Sequence, residues 1–259
     1  MHRHPAYLSG NHRGAIRTFC SARRNIFPAA RAYPIEHSFS TVYCRTVCIK
    51  TVQVPLSFQY RYLPASGRTP ARVAVLPGAW NPPTVAHIAV ARAALLWADE
   101  VVLTLPSTFP HKAFEGVSAA ARQELLCHLA ASEPGLSVAT TTGGLYLEMA
   151  QEATEFFEPA TEVGLVCGRD AAERIAAWDY GRPGVFEEMI TRHPLLVAAR
   201  AGDYVPSPRF AARIVHLPVP LSFSEVSSTE VRRRLAAGDP WQHLVPAALV
   251  SRVAALYLP

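Results

Sequence analysis

Two short stretches combine hydroxyl, imidazole, guanidinium and glycine groups at spacings that suit a polyphosphate. The first is VAVLPGAWNPPTVAH, Val73 to His87. An apolar run enters a turn at Gly78, where a missing side chain allows close approach of a ligand to the backbone. Pro82 and Pro83 stiffen that turn. Thr84 and His87 then stand three apart, on one face of the helix that begins there. The first amides of a helix have no partner within it, so they attract an anion. The simpler alternative is that Thr84 only caps the helix and His87 lies on its surface. The second stretch is SFSEVSSTEVRRRL, which sets Ser227, Ser228 and Thr229 at another helix start, followed by Glu230 and Arg232. Ser227 with Glu230 fits a capping box. Capping requires neither three hydroxyls nor an arginine at 232, whereas phosphate recruits both. Arg233 and Arg234 read as a solvated face.

These side chains need a frame. From Arg72 the sequence alternates apolar runs with helical periods. RVAVLPG, EVVLTLP, LSVATTT, EVGLVCGRD, PLLVAAR and RIVHLPV are expected strands. Thr84 to Ala98, SAAARQELLCHLAAS with Ser118 as N-cap, and LYLEMAQEATEFF are expected helices, with shorter helical pieces between GRD and PLLVAAR. SSTEVRRRLAAG and PAALVSRVAALYL close the chain as helices. The pattern predicts an α/β fold: a Rossmann-like, doubly wound parallel sheet with helices on both faces and a C-terminal helical segment. Ligands bind such sheets at the carboxyl ends of the strands, where strand order reverses. The functional loops are therefore expected at 77–87, 106–112, 168–179 and 223–232.

Composition bounds the rest. The chain has 259 residues, half of them apolar, enough for one sizeable core. It contains no apolar run long enough for a membrane helix. Cys20, Cys44, Cys48, Cys127 and Cys167 form no paired framework, which fits a reducing compartment and gives no metal signal. The net charge of +5 is misleading, because residues 1–70 hold ten of the 25 bases and only one of the 20 acids, Glu36. Residues 71–259 therefore carry fifteen bases and nineteen acids, a net charge of −4, which gives no reason to expect nucleic-acid binding. Residues 1–70 are expected to be a basic, disordered leader, either transit-like or upstream sequence from a wrong start. Residues 71–259 are the expected domain. Location is then cytoplasmic, or an organelle if the leader is a transit peptide. A homo-oligomer is left open.

GAWNPPTVAH resembles the (H/T)xGH signature of the nucleotidyltransferase superfamily, and VSSTEVR resembles its ISSTxxR signature. Their order and separation also fit. The resemblance is closest to the bacterial nicotinate-nucleotide adenylyltransferases and covers roughly residues 72–258. LPSTFPHK resembles the segment that ends in His-Lys after the second strand. Arg122 falls at an arginine of the next helix, and VCGRDAAERIAAWDY resembles a GADAL…W segment. HLVPAALVSRVAALYL resembles the family's C-terminal helix.

The resemblance implies transfer of AMP from ATP to the phosphate of a pyridine mononucleotide, with release of pyrophosphate and no covalent intermediate. It implies Mg²⁺ carried by ATP rather than by a cluster of protein ligands. His87, Thr84 and Arg232 would be catalytic. Gly78, Ala79, Trp80, Lys112, Gly168, Asp170, Ser228 and Thr229 would bind ATP. Asn81, Trp178 and Tyr146 would hold the acceptor. The sequence departs from the family pattern at Ala86, where the signature has glycine, and at Asn81, where bacterial members usually have aspartate. Leu145 and Leu147 also replace the hydroxyl neighbours of the matching tyrosine. The acceptor therefore stays open between nicotinate and nicotinamide mononucleotide. A related fold acting on phosphopantetheine, or with CTP, and a non-catalytic nucleotide-binding relative are the alternatives. A class I tRNA synthetase is excluded because no lysine follows Lys112 to make its second signature. No G-x-S-x-G elbow supports a hydrolase.

Overall fold

Strand residues alternate between two faces, and in this chain both faces are apolar. The computed structural model describes residues 57–63, 69–108, 116–157, 159–199 and 204–258. Among these residues, seven strands form one sheet: β1 (Phe58–Tyr62), β2 (Arg72–Pro77), β3 (Glu100–Pro106), β4 (Leu136–Thr141), β5 (Glu162–Gly168), β6 (Leu195–Ala198) and β7 (Ile214–His216). Seven α-helices among the same residues join them: α1 (Val85–Ala94), α2 (Ala119–Ser132), α3 (Tyr146–Phe156), α4 (Arg169–Ala177), α5 (Val185–Arg192), α6 (Ser228–Ala237) and α7 (Val250–Tyr257). Ala74 and Leu76 of β2 enter a core with Ile88 of α1, Leu125 and Leu129 of α2, Leu235 of α6 and Val253 of α7. Val73 and Val75 face the opposite core, with Ala153 of α3, Ile175 of α4 and Met189 of α5. Helices thus cover both faces, as a buried sheet requires.

The strand order is β1-β4-β3-β2-β5-β6-β7. It runs outward from β2 through β3 to β4, then resumes on the other side of β2 with β5. The reversal lies between β2 and β5. Val75 pairs with Leu165, which brings Gly78 and Gly168 to the same level at the carboxyl edge. Ligands of such sheets bind there.

The structure corrects the sequence reading in two places. The sheet is mixed rather than parallel throughout, because β1 pairs antiparallel with β4. That strand also comes from the segment assigned to the leader, so the folded unit begins before residue 71. Phe58 is 7% exposed, and the Tyr60 hydroxyl donates to Glu100 at 2.5 Å. Glu100 is itself buried and accepts a second bond, from Ser137 at 2.5 Å. Burying a carboxylate is costly without such donors. Residues 1–56 and 64–68 of the leader lie outside the described residues.

Element boundaries also shift. The helix expected over 84–98 ends at Ala94, and its last turn tightens through bonds from Leu96 to Ala93 and from Trp97 to Ala94. Ser118 caps α2 as expected, accepting from the Ala121 amide at 3.2 Å. α6 closes at Gly238, whose φ of 74° suits glycine. Among the described residues no helix is long and apolar enough to cross a membrane.

Candidate active site

The β2–α1 turn is shaped by a tryptophan. Trp80 has φ 54° and is 1% exposed. Its Nε1 donates to the Thr104 carbonyl of β3 at 2.8 Å, and that oxygen also accepts from the Gly78 amide at 3.1 Å. The indole folds back over residue 78, where an added Cβ would lie 2.9 Å from the ring. Glycine is therefore required by Trp80, a reason the sequence did not suggest. The Trp80 side chain, expected at the ATP site, is part of the core.

Thr84 and His87 form a reciprocal cap. The His87 amide donates to Thr84 Oγ1, and the Thr84 amide donates to His87 Nδ1 at 3.0 Å. Thr84 Oγ1 lies 2.7 Å from the same ring nitrogen. An Nδ1 that accepts from an amide carries no proton, so the hydrogen-bond network assigns the neutral ring's proton to Nε2. The capping alternative and the functional one are thus compatible, because the cap orients an imidazole N–H donor at a helix N-terminus. Thr84 is fully buried, and the His87 ring packs 4.9 Å from that of Trp80. Ala86 is also fully buried and belongs to the core behind α1.

The two signature stretches meet in this turn. Ser228 Oγ donates to the Pro82 carbonyl at 2.7 Å, and Arg232 Nη1 donates to the Asn81 carbonyl. Arg232 also reaches the Ser228 carbonyl at 3.3 Å and Thr229 Oγ1 at 3.5 Å. All of these partners are neutral, and among the described residues Arg232 makes no ion pair with a carboxylate. Its neighbours behave differently. Arg233 and Arg234 both pair with Glu230, and the two guanidinium groups hold that carboxyl well below the usual range, at about 2. The solvated-face reading of Arg233 and Arg234 agrees with this pairing, and Arg232 is left as the arginine with charge to offer an anion. Ser227 caps α6, accepting from the Glu230 amide at 3.1 Å.

Two further groups hold the turn, and sequence reasoning gave neither a role. Arg122 of α2 is 5% exposed and donates through Nη1 to the Ala79 carbonyl at 2.7 Å. Burial lowers its pKa, and the nearby Tyr257 acts the other way. Tyr257 of α7 donates to Asn81 Oδ1 at 2.6 Å. The only sequence signal for it was a tyrosine one turn beyond Val253 on an apolar helical face. Asn81, expected at the acceptor, is 6% exposed, and its side-chain oxygen is committed to Tyr257.

Across the switch point, Gly168 is the N-cap of α4 and Asp170 lies in the first turn, exposed and ion-paired with Arg169 at 3.3 Å. A side chain at 168 would meet only the Ala198 carbonyl, at 3.9 Å. Trp178 ends α4 and is 38% exposed. Tyr146 differs from expectation. Its hydroxyl reaches the Val166 carbonyl at 3.5 Å, and burial pushes the phenol well above its ordinary value. It packs between α3 and β5. Lys112 lies outside the described residues.

The loop after β4 contains a feature that the sequence reading missed. Glu152 accepts from the amides of Thr142 at 2.9 Å and Gly143 at 2.6 Å. Glu148 accepts from those of Gly144 at 2.9 Å and Leu145 at 3.0 Å. Four successive amides are thus taken by the chain's own carboxylates. Burial pushes Glu152 up to about 7, against the pull of its two amide donors. Among the described residues, no group of three or more His, Cys, Asp or Glu is placed to hold a metal ion.

A profile described as Cytidylyltransferase-like matches residues 75–234, which spans both signature stretches. A probable nicotinate-nucleotide adenylyltransferase of Salinibacter ruber is 29% identical over 194 residues, covering 68% of this chain and 92% of the relative. A counterpart from Thermus thermophilus is 30% identical, covering 69% and 94%. That from Symbiobacterium thermophilum is 31% identical, covering 68% and 89%. Among solved structures, the Plasmodium falciparum nicotinic acid mononucleotide adenylyltransferase complexed with NaAD superposes with a TM-score of 0.56 at 13% identity, over 71% of this chain and 95% of that one. At that identity the likeness speaks for the fold.

Proposed function

The chain belongs to the cytidylyltransferase-like family of nucleotidyltransferases, and from that membership we propose that it transfers AMP from ATP to the phosphate of nicotinate mononucleotide in NAD synthesis. An acceptor phosphate oxygen forms a bond to the α-phosphorus of ATP. The bond from that phosphorus to the oxygen bridging the β-phosphorus breaks, and pyrophosphate leaves. The observation that carries this reading is the meeting of the two signature stretches in one turn, with Arg232 next to the reciprocal cap of Thr84 and His87.

Catalysis here is positioning and charge stabilisation. The α1 amides and His87 Nε2 donate to the phosphates as negative charge shifts onto the leaving pyrophosphate. Arg232 and Thr229 approach that charge from α6. Ser228, committed to the Pro82 carbonyl, holds the two elements together rather than binding phosphate directly. Lys112 remains a candidate point charge. Gly168, open on its Cβ side, and Asp170 suit the adenosine end, and the exposed ring of Trp178 suits stacking on the pyridine. Mg²⁺ would enter on the ATP phosphates, where it neutralises charge, and would need no side-chain cage.

The test is pyrophosphate release by the full-length chain with Mg-ATP and nicotinate mononucleotide, nicotinamide mononucleotide or no acceptor. Release with a pyridine nucleotide that disappears in His87→Ala is expected. The nicotinamide arm matters because the loop after β4 satisfies its amides internally and offers no vacant amide pair to an acceptor carboxylate. Turnover on neither acceptor, with intact ATP binding, would refute the assignment.

A further inference from the structure

Four acceptors of the turn 79–82 meet donors from the helices behind it. Arg122 meets the Ala79 carbonyl, Arg232 the Asn81 carbonyl and Ser228 the Pro82 carbonyl. The fourth of these acceptors, Asn81 Oδ1, is met by the Tyr257 hydroxyl at 2.6 Å. An amide oxygen at that depth needs such a donor. Pro82 and Pro83 stiffen the turn but bring no N–H to bond it internally. Its geometry is therefore shared between the anchor of Gly78 and Trp80 on the Thr104 carbonyl and the groups from α2, α6 and α7.

Building on the adenylyl-transfer reading, we infer that Tyr257 is a positioning residue for the phosphate turn. Its hydroxyl fixes Asn81 so that the N-terminus of α1 and His87 meet the phosphates in one orientation. Tyr257 acts through Asn81 and touches no substrate. Its own placement is set by the core, because Val253, one turn earlier on the same helical face, is fully buried. Burial pushes the phenol up to about 12, while Arg122 and Arg232 pull it down. It therefore stays protonated, and a donor, across the neutral range.

The experiment is Tyr257→Phe in the full-length chain, which keeps the ring and removes only the hydroxyl. The expected result is a fall in kcat of about tenfold or more with KM for ATP within about twofold, because a misplaced turn weakens transition-state contacts more than binding. Amide exchange, measured without substrate, should speed up at Ala79, Trp80, Asn81 and Thr84 and stay unchanged in β5. Wild-type kcat, unchanged exchange in the turn, or faster exchange in β5 as well would overturn the inference. If the unmutated chain released no pyrophosphate, the adenylyl-transfer reading would fail, and the exchange pattern would still decide the role of Tyr257.

Discussion

Removing residues 1–70 deletes β1, and the structure allows the cost to be worked out. Phe58 is buried on β1, and burying a phenylalanine is worth about 2 kcal/mol. The Tyr60 hydroxyl donates to the buried Glu100, and a hydrogen bond to a charged group is worth about 2 kcal/mol. Without it, Glu100 keeps the bond from Ser137 as its one side-chain donor among the described residues. A chain starting at residue 71 should therefore be less stable than one starting at residue 57 by about 4 kcal/mol, a large share of the ~5–15 kcal/mol by which domains are stable. Tyr60→Phe in the full chain isolates the second contribution, at about 2 kcal/mol. Urea unfolding of the two shortened chains, the full chain and its Tyr60→Phe variant, followed by far-UV circular dichroism, measures both differences. Equal midpoints for the chains starting at 57 and 71 would refute the reasoning, since β1 would then add nothing to the fold.

Arg232→Ala should lower kcat/KM by about a hundredfold, the usual effect of removing a charged donor to a transition state, whereas Arg233→Ala, which breaks an exposed pair with Glu230, should change it by less than about threefold. Steady-state pyrophosphate release separates the two. Glu152 predicts a pH dependence of stability. Its folded value is raised from 4.5 to about 7, so the folded state holds the proton more tightly than the unfolded one. The favourable contribution is complete below pH 4.5 and is lost as pH rises to about 7, up to ~3 kcal/mol at 1.36 kcal/mol per pH unit. Glu152→Gln should remove that slope between pH 4.5 and 8 in urea unfolding, and parallel slopes for variant and wild type would count against it.

Much of the frame was legible because it rests on neighbours in the chain. Ser118, Ser227 and Thr84 cap the helices they precede, since capping spans three residues. The apolar strands and their alternation with helices implied the doubly wound sheet and located its functional edge. The meeting of the two signature stretches was expected from resemblance, and the structure gives its physical form: bonds from Ser228 and Arg232 to carbonyls of the turn. The departure at β1 has a clear cause. Its five residues sit in a basic, Pro-flanked segment, and an edge strand carries little periodic signal.

The sequence by itself determined the α/β class, the order of its elements, the caps and the two stretches proposed to hold phosphate-binding groups. Only the tertiary structure decided how each of those side chains is oriented and what it bonds. Trp80 turned inward because a carbonyl 24 residues away accepts its N–H. Asn81 was claimed by a tyrosine 176 residues on. Arg232 was separated from Arg233 and Arg234 by their shared partner, Glu230. Local signals reach about one helical turn. A side chain's final orientation is set by whichever distant donor, acceptor or charge the packed core brings within hydrogen-bond range, and no local pattern records that choice.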